Sequence, residues 1–268
     1  MIHSNPAKSV LDFADSLPGP YGYESSIKLS RNKVSDRRFL VTFPSVALDM
    51  GANLSALLQR LHCPVQAPID QLIKGRSILH LGVEESDNGT VCKLYAEDAD
   101  RVRDLWQLDC LPTDENIPVH RALKWKLDSS WIVATDYDWL PCESRDQLIE
   151  RSRACLPEAI PLIEALLELI PADCLIRNLQ LLRVSEEGNP RLSLDLNLYD
   201  AAMNVSALHA LSKRLPAGDP YGALLGSAAN SLGNIEDRIL GHIALGTGRE
   251  GESFITVYYG VQERGGFS

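Results

Sequence analysis

The sequence contains few of the features that mark secreted, zinc-binding or nucleic-acid-binding proteins. Its six cysteines form no C-x-x-C pair, so we expect reduced, mostly buried thiols and neither a zinc site nor a disulfide framework. No run of Lys or Arg exceeds two residues, as at 37–38, and the formal net charge is -10. A chain with this charge and no basic patch is a poor candidate for binding nucleic acid or an anionic membrane.

Long apolar stretches are also missing. The longest, at 159–170, is interrupted by Glu164 and Glu168 and is too short to span a bilayer. Residues 1–17 lack the basic and apolar regions of a secretory signal peptide. We therefore expect a cytoplasmic protein with no membrane partner.

One nucleotide-like motif is present, but its surroundings do not suit a nucleotide site. The segment GTGREG at 246–251 matches the Gly-x-Gly-x-x-Gly fingerprint, which requires a helix directly after it. The residues that follow, SFITVYY at 253–259, are largely β-branched and aromatic and therefore predict a strand. The motif is interpreted as the turn of a β-hairpin.

Five segments have the strand–turn–strand pattern of a β-hairpin, and helical patterns separate them. The hairpins are predicted at 24–43, 77–98, 120–140, 178–199 and 242–260, and the helices at 52–61, 98–107, 144–170 and 221–240. Because no low-complexity linker interrupts the series, residues 1–268 are expected to form a single domain. Ten antiparallel strands favour a closed barrel, since closure removes the exposed sheet edges.

Apolar and polar residues alternate along the predicted strands. Leu194 and Leu196, for example, share one face, while Asp195 and Asn197 share the other. The helices would cover the apolar face, which leaves the polar face to line the lumen. The predicted fold is thus α+β, a closed ten-stranded antiparallel β-barrel with a polar lumen surrounded by α-helices. The alternative is an open two-layer sheet whose polar face contacts bulk solvent.

The predicted polar face combines cations with tyrosines. Several cations held on different strands can bind an oligo-anion, so they indicate a diphosphate site. Tyrosine rings can stabilise a carbocation, and the combination therefore suits ionisation of an allylic diphosphate. The cations are Lys28, Arg38, Lys93 and Lys124, the tyrosines are Tyr95, Tyr199 and Tyr258, and His80 and His242 are further candidates for the lumen.

Three of the hairpins resemble those of a known family. The first has Glu24 and Lys28 in its opening strand and Arg38-Phe39-Leu40 entering the next one. The second ends in Lys93-x-Tyr95, and the last combines Gly-Thr in its turn region with a tyrosine pair. These motifs resemble the cyanobactin prenyltransferases, which are enzymes of the ABBA (PT-barrel) fold that prenylate ribosomal macrocyclic peptides.

The resemblance implies roles for the matching residues. Glu24 would orient the acceptor and receive its proton. Arg38, Lys93 and Lys124 would hold the diphosphate of a dimethylallyl or geranyl donor. The carbocation would be shielded by Tyr95, by Tyr199 and by Tyr258 or Tyr259.

No metal is required for this interpretation. The Asp-Asp-x-x-Asp metal-bridging motif is missing, and Lys and Arg can neutralise the leaving group in its place. The short acidic pairs at 98–100 and 136–138 are interpreted as helix caps or solvated residues. We predict no metal site and no required cofactor, although Mg2+ could still assist electrostatically.

The sequence leaves the acceptor open. Glu24 shares the predicted lumen with Asp195, which would either pair with a lumen cation or help Glu24 to hold a guanidinium. The residues expected to bind the acceptor are Asp195, Asn197, His80 and His242. The predicted function is prenyl transfer to a Tyr, Trp or Arg side chain of a macrocyclic peptide. A small indole or phenol acceptor is one alternative, and a non-catalytic barrel that binds a lipid-like or peptide ligand is the other.

Overall fold

Ten strands of the protein form one closed antiparallel barrel. The computed structural model describes residues 5–31, 33–64, 67–86, 89–127, 129–249 and 251–265. Each strand pairs with its neighbours in the chain, and the tenth closes the barrel against the first. The strands are β1 (Tyr21–Ser30), β2 (Lys33–Pro44), β3 (Ile78–Ser86), β4 (Gly89–Glu97), β5 (Ile117–Lys126), β6 (Ile132–Trp139), β7 (Leu181–Glu186), β8 (Asn189–Asn197), β9 (Leu240–Thr247) and β10 (Ser253–Arg264).

Helices surround the barrel and fill the connections between hairpins. They are α1 (Pro6–Asp15), α2 (Val46–Asp49), α3 (Leu54–Arg60), α4 (Ile69–Ile73), α5 (Ala99–Trp106), α6 (Arg145–Cys155), α7 (Ile160–Leu169), α8 (Ala207–Arg214) and α9 (Pro220–Ser231). The sequence patterns had predicted α3, α5, α6, α7 and α9, but not α1, α2, α4 or α8. Within the described ranges, no helix is both long and apolar enough to cross a membrane.

The helical pattern at 144–170 is divided into two helices. α6 ends at Cys155, a single 3-10 turn covers residues 157–159, and α7 begins at Ile160. Leu156 between them has a φ of -149°. The residue before a proline is disfavoured in the helical region, so Pro157 forces the break.

The GTGREG segment joins β9 to β10, as the hairpin interpretation predicted. Gly246 allows β8 to approach closely, because a Cβ there would lie 2.6 Å from the Cβ of Ser193. Gly251 has a φ of +82°, which favours glycine. These glycines therefore serve strand packing and a turn. Glu250 of the motif lies outside the described residues, as do Asn88 and Asp128 of two other predicted turns.

The apolar face of the barrel points outward into two large clusters beneath the helices. In one cluster, Ile27 and Leu194 pack with residues of α6 to α9. In the other, Phe43 and Trp125 pack with residues of α1 and α3. The indole N–H of Trp125 donates to the carbonyl of Leu61 at 2.9 Å and ties β5 to the end of α3. Because helices cover this face, the polar face lines the lumen, and the open-sheet alternative is excluded.

Candidate active site

One half of the lumen collects cations from several strands. Lys28 on β1, Arg38 on β2, Lys93 on β4 and Lys124 on β5 line a common cavity of about 140 Å³, as the sequence predicted. Two further cations line it that the sequence analysis had not selected, Arg191 on β8 and Arg249 in the β9–β10 turn. We call these six residues the cationic half.

Glu84 on β3 holds two of these cations in place. Its carboxylate lies 2.5 Å from Nη1 of Arg38 and 2.9 Å from Nζ of Lys93. The Nε of Arg38 donates to the hydroxyl of Ser26 at 3.3 Å. Burial alone would raise the pKa of Glu84, but Lys93 and Arg38 hold it well below the ordinary value. Both cations are therefore fixed before any ligand arrives.

The remaining lysines of the cationic half are poorly compensated. Burial lowers the pKa of Lys28 to about 7, with Arg38 and Arg191 adding to the effect. Burial also holds the pKa of Lys124 well below its ordinary value, and Lys93 lies directly opposite it in the β4–β5 ladder. A bound anion would reverse both shifts, because an opposite charge favours the protonated amine.

Tyrosine rings cross the lumen below the cations. Tyr95 and Tyr137 lie 5.8 Å apart between ring centroids, and Nζ of Lys124 lies 5.8 Å from the Tyr137 ring. Tyr258 lines the same cavity from β10. Burial raises the pKa of Tyr137 and Tyr258 well above the ordinary value, so both hydroxyls remain neutral. These rings could face a carbocation without becoming charged.

The opposite end of the lumen carries carboxylates and histidines. This region, which we call the floor, consists of Glu24, His80, Glu97, His120, Asp195, Tyr199 and His242. Tyr199 donates its hydroxyl hydrogen to the buried carboxylate of Glu24. Glu24 lies where the β1–β10 register shifts, and Gly241 leaves room for the contact because a Cβ there would collide with both side chains.

Asp195 and His242 form an ion pair beside Glu24. Nδ1 of His242 lies 3.2 Å from the Asp195 carboxylate, and its ring contacts Tyr199 and Tyr258 at centroid distances of 5.2 Å and 5.4 Å. Burial alone would lower the pKa of His242, but Asp195 and Glu24 raise it to about 9. Burial and the neighbouring Asp195 raise the pKa of Glu24, although His242 opposes them.

His80, Glu97 and His120 form a second group on the floor. Glu97 Oε2 lies 2.9 Å from Nε2 of His80 and 3.6 Å from Nδ1 of His120, and Thr42 holds the other His80 nitrogen at 2.8 Å. Burial lowers the pKa of His120 to about 4. The ligand atoms of the three residues lie within 4.8 Å of one another, so among the described residues they could hold a metal ion.

Acidic residues of the two short pairs at 98–100 and 136–138 form local contacts. Asp98 accepts from the backbone N–H of Arg101 at 3.3 Å and caps α5. Asp138 lies 2.7 Å from Arg183. The interpretation of Asp98 as a helix cap agrees with its contact, whereas Asp138 is an ion-paired side chain that is only 14% exposed and is not a solvated residue.

One predicted site residue is placed differently from the expectation. Tyr259 packs against the apolar cluster outside the barrel, so its assignment as a lumen residue is wrong. Successive strand residues face opposite sides, and with Tyr258 inside, Tyr259 must point outward. Asn197 accepts from the backbone N–H of Tyr199 at 3.1 Å and fixes the turn that carries this tyrosine.

The sequence analysis also missed several lumen residues. Glu84, Glu97, His120 and Arg191 lie on the polar face of their strands, so the alternation contained a signal for them. Tyr137 was not selected because it lies between Asp136 and Asp138, and this acidic segment was interpreted as solvated side chains or helix caps. Arg249 lies in a turn, where no alternation exists.

Comparison with solved structures identifies the fold. AnaPT from Neosartorya fischeri superimposes with a TM-score of 0.55 at 14% identity, covering 92% of this chain and 80% of that one. This likeness confirms the ABBA barrel and concerns the fold alone. A 6-dimethylallyl tryptophan synthase has a TM-score of 0.49, 14% identity and coverage of 89% and 80%. NotF prenyltransferase has a TM-score of 0.47, 11% identity and coverage of 88% and 80%.

Sequence comparisons identify no family. No protein-family model matches the chain. No curated protein matches its sequence.

Proposed function

We propose that the protein is a prenyltransferase that moves a dimethylallyl or geranyl group from its diphosphate to an acceptor on the floor. The observation that carries this proposal is the convergence of six cations on one cavity, directly above a layer of tyrosine rings. A carrier of neutral lipids has little need for such a cluster. The non-catalytic alternative is therefore disfavoured.

The cationic half would bind the diphosphate and assist its departure. Arg38 and Lys93 are fixed by Glu84, so they can meet the charge that develops as the C–O bond breaks without first reorganising. Lys28 and Lys124 would gain stability as cations when the diphosphate enters. This arrangement needs no metal at the leaving group. Mg2+ would add to the same electrostatic effect if it accompanied the donor.

The tyrosines would guide the carbocation toward the acceptor. Tyr95, Tyr137 and Tyr258 lie between the cationic half and the floor, and each well-placed ring can contribute roughly 0.5–2 kcal/mol to a cation. Buried rings also exclude water, which would otherwise capture the allylic cation. Tyr199 would extend this layer to the floor.

Glu24 would receive the proton that the acceptor loses. Burial raises its pKa, which makes the carboxylate a better base than an exposed glutamate. Tyr199 would hold it in position through their hydrogen bond. Asp195 and His242 would orient the acceptor beside it.

The default donor is dimethylallyl diphosphate. Tyr137, Phe254 and Tyr258 line the cavity of about 140 Å³, and their bulky rings favour the shorter donor. Geranyl diphosphate is the competing donor, since Val184 and Ala244 on the same wall are small.

The resemblance to cyanobactin prenyltransferases supports a macrocyclic ribosomal peptide as the acceptor, modified on a Tyr, Trp or Arg side chain. A small indole or phenol is the second candidate, because the Glu24 carboxylate could accept an N–H or O–H from such a molecule as well. Both acceptors use the same donor site and the same proton transfer.

Incubation with dimethylallyl diphosphate and a panel of cyclic peptides, indoles and phenols tests the proposal. The expected result is a gain of one isoprene mass on one acceptor class, seen by mass spectrometry and lost in Arg38→Ala. No product with any acceptor, together with no binding of inorganic pyrophosphate, would contradict it.

A further inference from the structure

The floor carries more negative charge than a neutral acceptor requires. Glu24, Glu97 and Asp195 come from three different strands and face the same end of the lumen. The lysines and arginines that line the described cavity lie in the cationic half, so histidines supply the compensation at the floor. Buried carboxylates are costly unless cations or donors satisfy them.

A phenol or an indole would satisfy only one of these oxygen atoms. Either molecule offers one O–H or N–H, which Glu24 alone can accept. The Asp195–His242 pair would then contribute nothing to binding, and a hydrophobic ring would lie against charged side chains. A neutral acceptor could contact the Tyr199 and Tyr258 rings but would use only one of the carboxylates that the floor offers.

A guanidinium matches the carboxylates of the floor in charge and geometry. Its five N–H donors lie in one plane and form paired hydrogen bonds with carboxylates, which the compact ammonium of lysine cannot do. Glu24 and Asp195 are near enough for Asp195 to raise the pKa of Glu24. Tyr199 and Tyr258 flank the His242 ring beside them and offer faces on which a guanidinium can stack.

Resting on the prenyltransferase function above, we propose that the acceptor is an arginine side chain, held by Glu24 and Asp195 and alkylated on a guanidinium nitrogen. The C–O bond of the allylic donor breaks, and its electron pair leaves with the diphosphate. A guanidine nitrogen lone pair forms the new C–N bond, and the proton released from that nitrogen passes to the Glu24 carboxylate. The product is a prenylated guanidinium with its positive charge retained.

Cyclic peptides that differ at a single position test this assignment. The position carries Arg, citrulline, Lys, Tyr or Trp, where citrulline keeps the shape of arginine but removes its charge. We expect one isoprene mass on the guanidinium of the Arg peptide and none on the citrulline peptide. In titrations without donor, the Arg peptide should bind about tenfold or more tightly than the citrulline peptide, since charge-assisted hydrogen bonds are lost.

A pair of variants adds a second readout. Asp195→Asn should lower kcat/KM for the Arg peptide by about 10- to 100-fold, because one charge-assisted pair is lost, while the affinity for inorganic pyrophosphate is unchanged. Asp136→Asn is the matched control, because Asp136 pairs with Arg121 on the exposed outer face and should have no effect.

The outcomes separate this inference from the proposed function. Prenylation of the Tyr or Trp peptide with the Arg peptide untouched would overturn the guanidinium assignment and leave the prenyltransferase intact. Equal affinity of wild-type protein for the Arg and citrulline peptides would overturn it as well, even if no peptide were modified. Failure of every acceptor together with no pyrophosphate binding would instead remove the prenyltransferase function.

Discussion

The cationic half and the floor share four strands, β1, β4, β5 and β8, yet they carry mainly opposite charges. β1 places Lys28 at one end and Glu24 at the other, and β8 does the same with Arg191 and Asp195. Members of each pair are four residues apart, as are three further pairs on neighbouring strands. Lys93 and Glu97 repeat this arrangement on β4, whereas His80 and Glu84 on β3, and His120 and Lys124 on β5, have the same spacing but a different order of charge.

This comparison shows how one barrel can sort two substrates by charge. Four strand residues span about 13 Å, and both members of a pair point to the same face. An anionic donor would be attracted to one end and repelled by the other, while a cationic acceptor would experience the reverse. A carbocation formed between them would be drawn toward the carboxylates of the floor.

Removal of a fixed cation should have the largest effect. Arg38→Ala and Lys93→Ala are each expected to lower kcat roughly 10²- to 10³-fold with saturating donor, because the lost group stabilises charge that grows in the transition state. Steady-state kinetics and thermal unfolding measure activity and folding separately. Arg121→Ala, an exposed cation on the outer face, should retain full activity. Wild-type turnover in Arg38→Ala and Lys93→Ala would show that these two residues do not stabilise the departing diphosphate.

Removal of the Glu24 carboxylate from the floor should impair prenyl transfer without affecting pyrophosphate binding in the cationic half. Glu24→Gln is expected to lower prenyl transfer by roughly 10²-fold or more, since the acceptor loses its base, while pyrophosphate still binds normally. Calorimetry with pyrophosphate and an acceptor assay measure the two effects. Glu168→Gln on α7 is the exposed control. A parallel loss of pyrophosphate binding would show that the halves are not independent.

The space between the halves should set the donor length. Wild-type protein is expected to use the five-carbon donor at least about tenfold better than the ten-carbon donor, because each poorly accommodated methylene costs roughly 1–3 kcal/mol. Val184→Phe narrows the same wall and should reduce geranyl transfer further than dimethylallyl transfer. Parallel assays with both donors decide the question, and a strong preference of wild type for geranyl diphosphate would contradict the default.

The cationic half should take up protons when it binds an anion. Burial lowers the pKa of Lys28 to about 7 in the folded protein, where Glu84 favours its charge and Arg38, Arg191 and Lys93 oppose it. At pH 8 it is mostly neutral, so pyrophosphate binding should be accompanied by uptake of about one proton. Calorimetry in buffers of different ionisation enthalpy measures this, and Lys28→Met should reduce it.

The same shift has a consequence for stability, with a defined sign. The unfolded chain keeps the Lys28 proton up to about pH 10.5, whereas the folded protein loses it near pH 7. The unfolded state binds more protons in this window, so the contribution of Lys28 to the free energy of unfolding rises with pH across it. Release of a proton when pyrophosphate binds, or the same proton uptake in Lys28→Met as in wild type, would contradict the assignment of this pKa shift to Lys28.

The smallest expected effect concerns the GTGREG turn. NAD should produce no binding heat, because the motif lacks the helix that a nucleotide site requires. Any weak binding of ATP should reflect its phosphates in the cationic half and disappear in Arg38→Ala but not in Gly248→Ala. Micromolar NAD binding that Gly248→Ala abolishes would overturn the hairpin interpretation.

Much of the barrel could be predicted because its signals are local. Strand alternation, turn residues and helical periodicity all act over a few neighbouring positions, and they identified the five hairpins. The same alternation placed Arg38, Lys93 and Asp195 on the polar face. Extended to Glu84 and Arg191, it could have revealed the four-residue charge pattern.

Contacts that depend on long chain separation could not be predicted in this way. Arg249 reaches the Glu186 carboxylate at 2.8 Å from a turn that carries no alternation. The ion pair between Asp195 and His242 depends on the β8–β9 register, which places Asn197 opposite His242. Neither relation follows from the composition of the segments involved.

The sequence by itself determined the hairpins, the alternation of strand residues between two faces and four of the cations in the lumen. Only the tertiary structure decided which of those residues meet. Glu24 and Tyr199 are 175 positions apart, and their contact exists because the barrel closes and Gly241 leaves space between them. Local preferences fix the orientation of a strand residue, but closure and register fix its partner across the lumen, and those arise from the packing of the whole chain.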